Sequence, residues 1–175
     1  NRWWSEVVRE EFGLRSVLEL EFETHYKRFL MPTVRGSDKG SKKRYAGVVS
    51  SPGGDRLVFK GLENVRTDWT RLAREFQQEL YRRVFMQEPF RDYVRALTAE
   101  VLDGERDGEL VYRKRLRRRL DEYQRNVPPH VQAARLYAQR GLTAPSRGDW
   151  VEYVITTAGA EPAAKPLAPL DYQHY

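Results

Sequence analysis

Two basic stretches carry the plainest chemical signal in the sequence. Lys42-Lys43-Arg44-Tyr45 sets three cations beside an aromatic ring. Arg113-Lys114-Arg115-Leu116-Arg117-Arg118-Arg119 packs six cations into seven positions. Such groups suit phosphate oxygens, and an aromatic can lie against a sugar or a base edge. If residues 113–119 are extended, Arg113, Arg115, Arg117 and Arg119 share one face, with Lys114 and Arg118 on the other. Both stretches also read as solvated charge runs, and composition alone leaves the two readings open. Glu19, Glu21 and Glu23 alternate with apolar residues, so a strand there presents three carboxylates on one face. Hard divalent cations take such oxygens, and so does bulk water. His25, His130 and His174 have no ligand spacing between them. His130 follows two prolines at a helix start, where backbone or phosphate could receive it. Gly53-Gly54 reads as a hairpin turn and not as a phosphate-binding loop.

Composition narrows the partners. The chain has 175 residues, 31 Lys plus Arg against 25 Asp plus Glu, and a formal charge of +6. A basic balance favours a polyanionic partner. About 40% of the residues are apolar, enough for a core. There is no cysteine, which excludes disulfides and thiolate metal sites and is compatible with a reducing compartment. No apolar run approaches the roughly 20 residues of a membrane span. The first residue is Asn1 and not Met, so the chain is expected to be a piece of something larger.

The elements that must position these residues follow from periodicity. Trp3, Trp4, Val7, Val8 and Phe12 predict an amphipathic helix over residues 1–12, stopped by Gly13. Residues 18–23 predict a half-buried strand, and residues 26–31 a return strand or bend. A loop over residues 35–44 holds Arg35, Lys39, Lys42, Lys43 and Arg44. A hairpin follows, turning at Pro52-Gly53-Gly54-Asp55. From Thr67 the period becomes 3.6, with Trp69, Leu72, Phe76, Leu80 and Val84 on one stripe and Thr67 or Asp68 as the cap. Pro89 is placed at the first position of a second helix ended by Gly104. A short link makes these two an antiparallel pair. A third helix runs from Pro129 to Gly141, and residues 150–155 read as a strand. Residues 158–169, rich in proline and alanine, are expected to be extended or flexible. The strand-rich part thus gives way to a helical part near residue 67, an α+β class.

Two stretches go beyond composition. Lys42-Lys43-Arg44-Tyr45-Ala46-Gly47 resembles the Lys-Lys-(Lys/Arg)-Tyr-Ala-Gly element of family B DNA polymerases. Lys60-Gly61-Leu62-Glu63-Asn64-Val65-Arg66-Thr67-Asp68-Trp69 resembles the Lys-Gly-x-(Asp/Glu)-x-Val-Arg-x-Asp-Trp element that follows it in the family. Residues 18–26 resemble the palm strand before the lysines, and residues 123–135 a thumb element. Phe29-Leu30-Met31-Pro32-Thr33 and Val127-Pro128-Pro129-His130-Val131 resemble the bacterial DNA polymerase II branch.

The resemblance implies an α+β architecture: residues 1–66 as the C-terminal part of a β-rich palm, and residues 67–175 as a mainly helical thumb cut short at its end. It implies primer–template DNA as partner, contacted through Lys42, Lys43, Arg44, Tyr45, Lys60, Arg66, Arg113, Lys114, Arg115, Arg117, Arg118 and His130. Glu21 and Glu23 match accessory carboxylates near the family's metal site. The parent enzyme would be a cytoplasmic DNA-directed DNA polymerase of replication and repair. It would use Mg2+ and deoxynucleoside triphosphates, with a sliding clamp as a candidate partner and no membrane. The family's aspartate elements, Asp-x-x-Ser-Leu-Tyr-Pro and Tyr-x-Asp-Thr-Asp-Ser, do not occur here, so this stretch alone is expected to be inactive and to hold no metal. Arg119 stands where a proline is expected, and the loop after Gly141 is short. The rival reading is a stand-alone, non-enzymatic nucleic-acid-binding module.

Overall fold

A two-residue turn at Pro52-Gly53 joins the two longer strands of the first sheet. The computed structural model of the chain describes residues 1–34, 36–41 and 43–175; Arg35 and Lys42 lie outside the described residues. β2 (Tyr45–Ser51) and β3 (Gly54–Lys60) pair in antiparallel register from Tyr45↔Lys60 to Ser51↔Gly54. β1 (Arg28–Leu30) adds to the other edge of β2, giving the order β1-β2-β3. Ala46 and Val48 face a core completed by Leu62 and Phe85.

The helix at the N-terminus forms as the periodicity predicts, as α1 (Arg2–Phe12), capped beyond its end by Gly13. None of its residues is buried. The strand expected over residues 18–23 does not form. Strand geometry needs a hydrogen-bonding neighbour. Among the described residues the backbone there donates only to Ser16 Oγ, from Leu18, and to Asn1 Oδ1, from Leu20. Leu18, Leu20 and Phe22 are accordingly exposed.

α2 (Arg71–Met86) starts one turn later than its sequence pattern suggested. Thr70, and not Thr67 or Asp68, is the cap: its hydroxyl accepts the Ala73 N–H at 3.2 Å. Asp68 is committed elsewhere. Within α2, Phe85 is buried while Val84 is exposed, because Tyr81 and Phe85 turn onto the first sheet. α3 (Arg91–Leu102) is capped at Phe90, so Pro89 lies just outside the helix and not at its first position. The two helices meet through the stacked rings of Phe76 and Tyr93, 6.0 Å apart, with the Arg83 guanidinium 4.6 Å over Tyr93.

The second sheet has the order β4-β5-β6, built from β4 (Tyr112–Arg115), β5 (Trp150–Thr156) and β6 (Gly159–Pro162), all antiparallel. α4 (Pro129–Gln139), with Pro129 in its first turn, packs Val131, Ala133 and Ala134 against Val151, Tyr153 and Ala160. Of the extended or flexible states expected for residues 158–169, the chain takes the extended one at β6, where it is paired and fixed. The reason is a buried ion pair: both nitrogens at the tip of the Arg140 guanidinium reach Glu161, at 2.9 and 3.0 Å. The Leu167 amide donates to the same carboxylate at 2.7 Å. After that clasp the chain pairs with the end of β5, where the Thr157 N–H donates to the Pro169 carbonyl and the Asp171 N–H to the Ile155 carbonyl. Further on, Tyr172 donates to Asp107 and Tyr175 stacks on Tyr112. Among the described residues no helix is long and apolar enough to cross a membrane.

Candidate nucleic-acid interface

The hairpin brings the two motif stretches together. Tyr45 and Lys60 are direct cross-strand partners, although they are fifteen residues apart in sequence. Gly61 makes the closure possible. It takes φ 61°, and a Cβ there would strike the Lys43 carbonyl oxygen. Gly47 serves the same end from beneath, because a side chain on it would collide with the Tyr26 ring. That ring meets Tyr45 edge-on at 6.0 Å, and Phe29 lies 5.3 Å from both. Tyr45 is therefore half-buried in an aromatic cluster that fixes its direction, while Lys43, Arg44 and Lys60 are exposed around it.

A carboxylate backs each arginine of this end. Arg44 bonds Glu63, which Gln77 of α2 also grips at 2.9 Å. Burial alone would raise the Glu63 pKa; the hydrogen bonds from Gln77 and Arg44 outweigh it and hold the carboxyl below its usual range. Arg66 forms a two-pronged bond to Asp68, at 2.9 and 2.8 Å. Lys114 of β4 approaches the same carboxylate at 3.8 Å. The Arg66 bonds depress the Asp68 pKa against the opposing effect of burial, and Lys114 adds to the depression. Asp68 thus ties the motif end of the first sheet to the basic strand of the second.

The second basic stretch is not one continuous ridge. β4 ends at Arg115, and Leu116 is fully buried. Its backbone is still pinned, since its N–H donates to the Asp149 carbonyl and its own carbonyl accepts the Gly148 N–H, each at 2.8 Å. Beyond it, Arg117, Arg118 and Arg119 lie exposed in a loop leading into a 3-10 turn at Leu120–Glu122. The expected alternation of four arginines on one face therefore holds only for Arg113 and Arg115. A buried leucine anchors the middle of the run because a strand edge must contribute to the core. Arg119 is turned toward Asp121, 3.2 Å away.

His130 sits inside. It is 6% exposed, edge-on to Tyr123, and its Nδ1 has no partner among the described residues. Burial, and next the charge of Lys114, lower its pKa, so the ring is neutral near pH 7. Glu21 and Glu23 lie exposed on the unpaired segment. Among the described residues no group of three or more His, Cys, Asp or Glu side chains gathers to hold a metal ion. Sequence reasoning missed Glu63, Gln77 and Asp68 as the groups that orient the arginines. Their signal was present in Glu63 and Asp68 standing three and two residues from a cation or motif neighbour, but Gln77 comes from another element.

The family model described as DNA polymerase family B matches residues 5–171. DNA polymerase II of Escherichia coli K12 is 56% identical over 181 aligned residues, covering 100% of this chain and 23% of that protein. The DNA polymerase delta catalytic subunit of Plasmodium falciparum is 30% identical over 188 residues, covering 98% of this chain and 16% of its own length. The solved family B DNA polymerase of the archaeon Pyrobaculum calidifontis superposes with a TM-score of 0.63 at 25% identity, over 99% of this chain and 22% of that one. The chain thus spans less than a quarter of the length of these relatives. With the family matched over nearly all its residues, the chain belongs to DNA polymerase family B.

Proposed function

We propose that this chain is the duplex-gripping part of a DNA-directed DNA polymerase, with residues 1–66 ending its palm and residues 67–175 forming its thumb. The observation that carries the reading is the pairing of Tyr45 with Lys60, which sets Lys43, Tyr45 and Lys60 at one end of the first sheet. From there Arg66, Asp68 and Lys114 lead to the second basic strip. Exposed cations neutralise phosphates without reading base sequence, so the grip is non-specific and weakens with salt. Lys43 and Tyr45 would lie beside the primer end, and Arg117 and Arg118 would hold backbone behind it. His130, buried as it is, would support the thumb from within.

The parent enzyme would extend primers from deoxynucleoside triphosphates by two-metal nucleotidyl transfer in the cytoplasm, in replication and repair, with a sliding clamp as a further partner. Residues 1–175 carry none of the family's aspartate elements, so on their own they bind and do not extend.

The test uses fluorescence anisotropy of a labelled primer–template duplex at low salt. The double variant Lys43→Ala with Lys60→Ala is expected to bind about tenfold more weakly than the unaltered chain, since two exposed charge contacts of about 0.7 kcal/mol each sum to the roughly 1.4 kcal/mol of a factor of ten. Equal affinities would contradict the reading. Adding Mg2+ and deoxynucleoside triphosphates should give no primer extension.

A further inference from the structure

The outer face of the second sheet carries an aromatic that the duplex grip does not use. Strand pairing sets Arg113 opposite Glu152 and Arg115 opposite Trp150. Opposed residues of an antiparallel pair project to the same side. The alternate residues Val151 and Tyr153 are buried in the core under α4, so Arg113, Arg115, Trp150 and Glu152 face solvent. The Arg113 guanidinium carbon lies 4.6 Å from the centre of the indole ring, and Glu152 approaches the same guanidinium at 3.6 Å. Arg115 donates from Nε to the Gly148 carbonyl at 2.7 Å, leaving its outer nitrogens for other acceptors. The indole is braced, yet Trp150 remains 44% exposed.

What such a ring can recognise follows from stacking. In a duplex the flat faces of the bases are covered by their neighbours, and only edges, sugars and phosphates remain. An unpaired base has a face to offer. Aromatic platforms among cations that track a backbone are the pattern by which single strands are held. Tyr45 does not fit that role, because Tyr26 and Phe29 pack against it. Trp3 and Trp4 are also exposed, but among the described residues Trp150 is the tryptophan with an arginine over its ring.

We propose that Trp150, braced by Arg113, stacks on an unpaired base of single-stranded DNA while Arg115 meets an adjacent phosphate. This rests on the nucleic-acid reading above and adds a single-strand contact to the duplex grip.

The experiment measures binding of fluorescein-labelled oligo(dT) and of a blunt duplex of equal length. Trp150→Ala is expected to weaken oligo(dT) binding at least about fivefold, the loss of one stacked base, and to leave duplex affinity unchanged. Unchanged oligo(dT) affinity, or an equal loss on both substrates, overturns the proposal. A second measurement needs no variant. A strand carrying 5-bromodeoxyuridine, irradiated on the unaltered chain, should crosslink to the peptide containing Trp150, and crosslinks confined to other peptides would overturn it. Failure of the duplex to bind at low salt would sink the grip itself, whatever oligo(dT) does.

Discussion

Glu161 is the charge most committed to holding the second sheet. It and Arg140 expose only 7% and 9% of their side chains. The Arg140 bonds pull the Glu161 pKa down to about 2 against the effect of burial, with help from the Leu167 and Ala168 amides. Removing one partner of a buried pair leaves the other unpaired, so Glu161→Gln is expected to cost about 3 kcal/mol or more at pH 7. The sign of the pH dependence follows from the depression. The folded value lies below the unfolded carboxylate value of about 4.3, so the contribution is complete above that pH and fades as pH falls toward 2. Urea unfolding at pH 7 and pH 3 checks this: the gap between unaltered chain and variant should shrink at pH 3, and a constant gap would show that the carboxylate charge is not the cause. Glu79 is held near 2 as well, by Arg82 and next by Arg83 against burial, so only the difference between the two proteins isolates Glu161. At this scale the sequence showed the surface cations well. Lys43, Lys60, Arg117 and Arg118 are exposed where their charge demands water. It could not show Glu161 paired with Arg140, because that pair is made between a helix end and a strand twenty-one residues on.

At the scale of elements, Gly61 decides whether the motif end closes. Gly61→Ala forces a Cβ against the Lys43 carbonyl in a left-handed backbone. The change should destabilise the fold by about 1–2 kcal/mol and weaken duplex binding with it. Denaturant midpoints and anisotropy on the same protein check the coupling; a variant that keeps full affinity would show that the Lys43 position does not depend on this closure. The hairpin itself was legible because its turn residues and alternating strands are local. The strand expected from Leu18 to Glu23 was not, since alternation marks a face but cannot supply a neighbour. β6 was hidden for the opposite reason: Gly159–Pro162 has little strand propensity, and its pairing with β5 and the Arg140 bond on Glu161 impose the conformation. The arginine run misled in the same way, as Leu116 is taken by the core and breaks the ridge in two.

Across the whole molecule, α2 joins what the sequence divides near residue 67. Phe85 and Tyr81 complete the core of the first sheet, while Leu72 packs with Val101 and Leu110 in another. Gln77 of the same helix orders the turn that holds Glu63 and Asn64. The two basic ends are thus tied through one helix and through Asp68, which is how a surface of scattered cations can act on one backbone. The salt dependence of binding tests that joint action most directly. Titration of the primer–template duplex over a range of salt concentrations should give a log–log slope of about −3 to −4, if Lys43, Lys60, Arg117 and Arg118 each neutralise one phosphate. A slope near zero, or no binding at the lowest salt, would contradict the account.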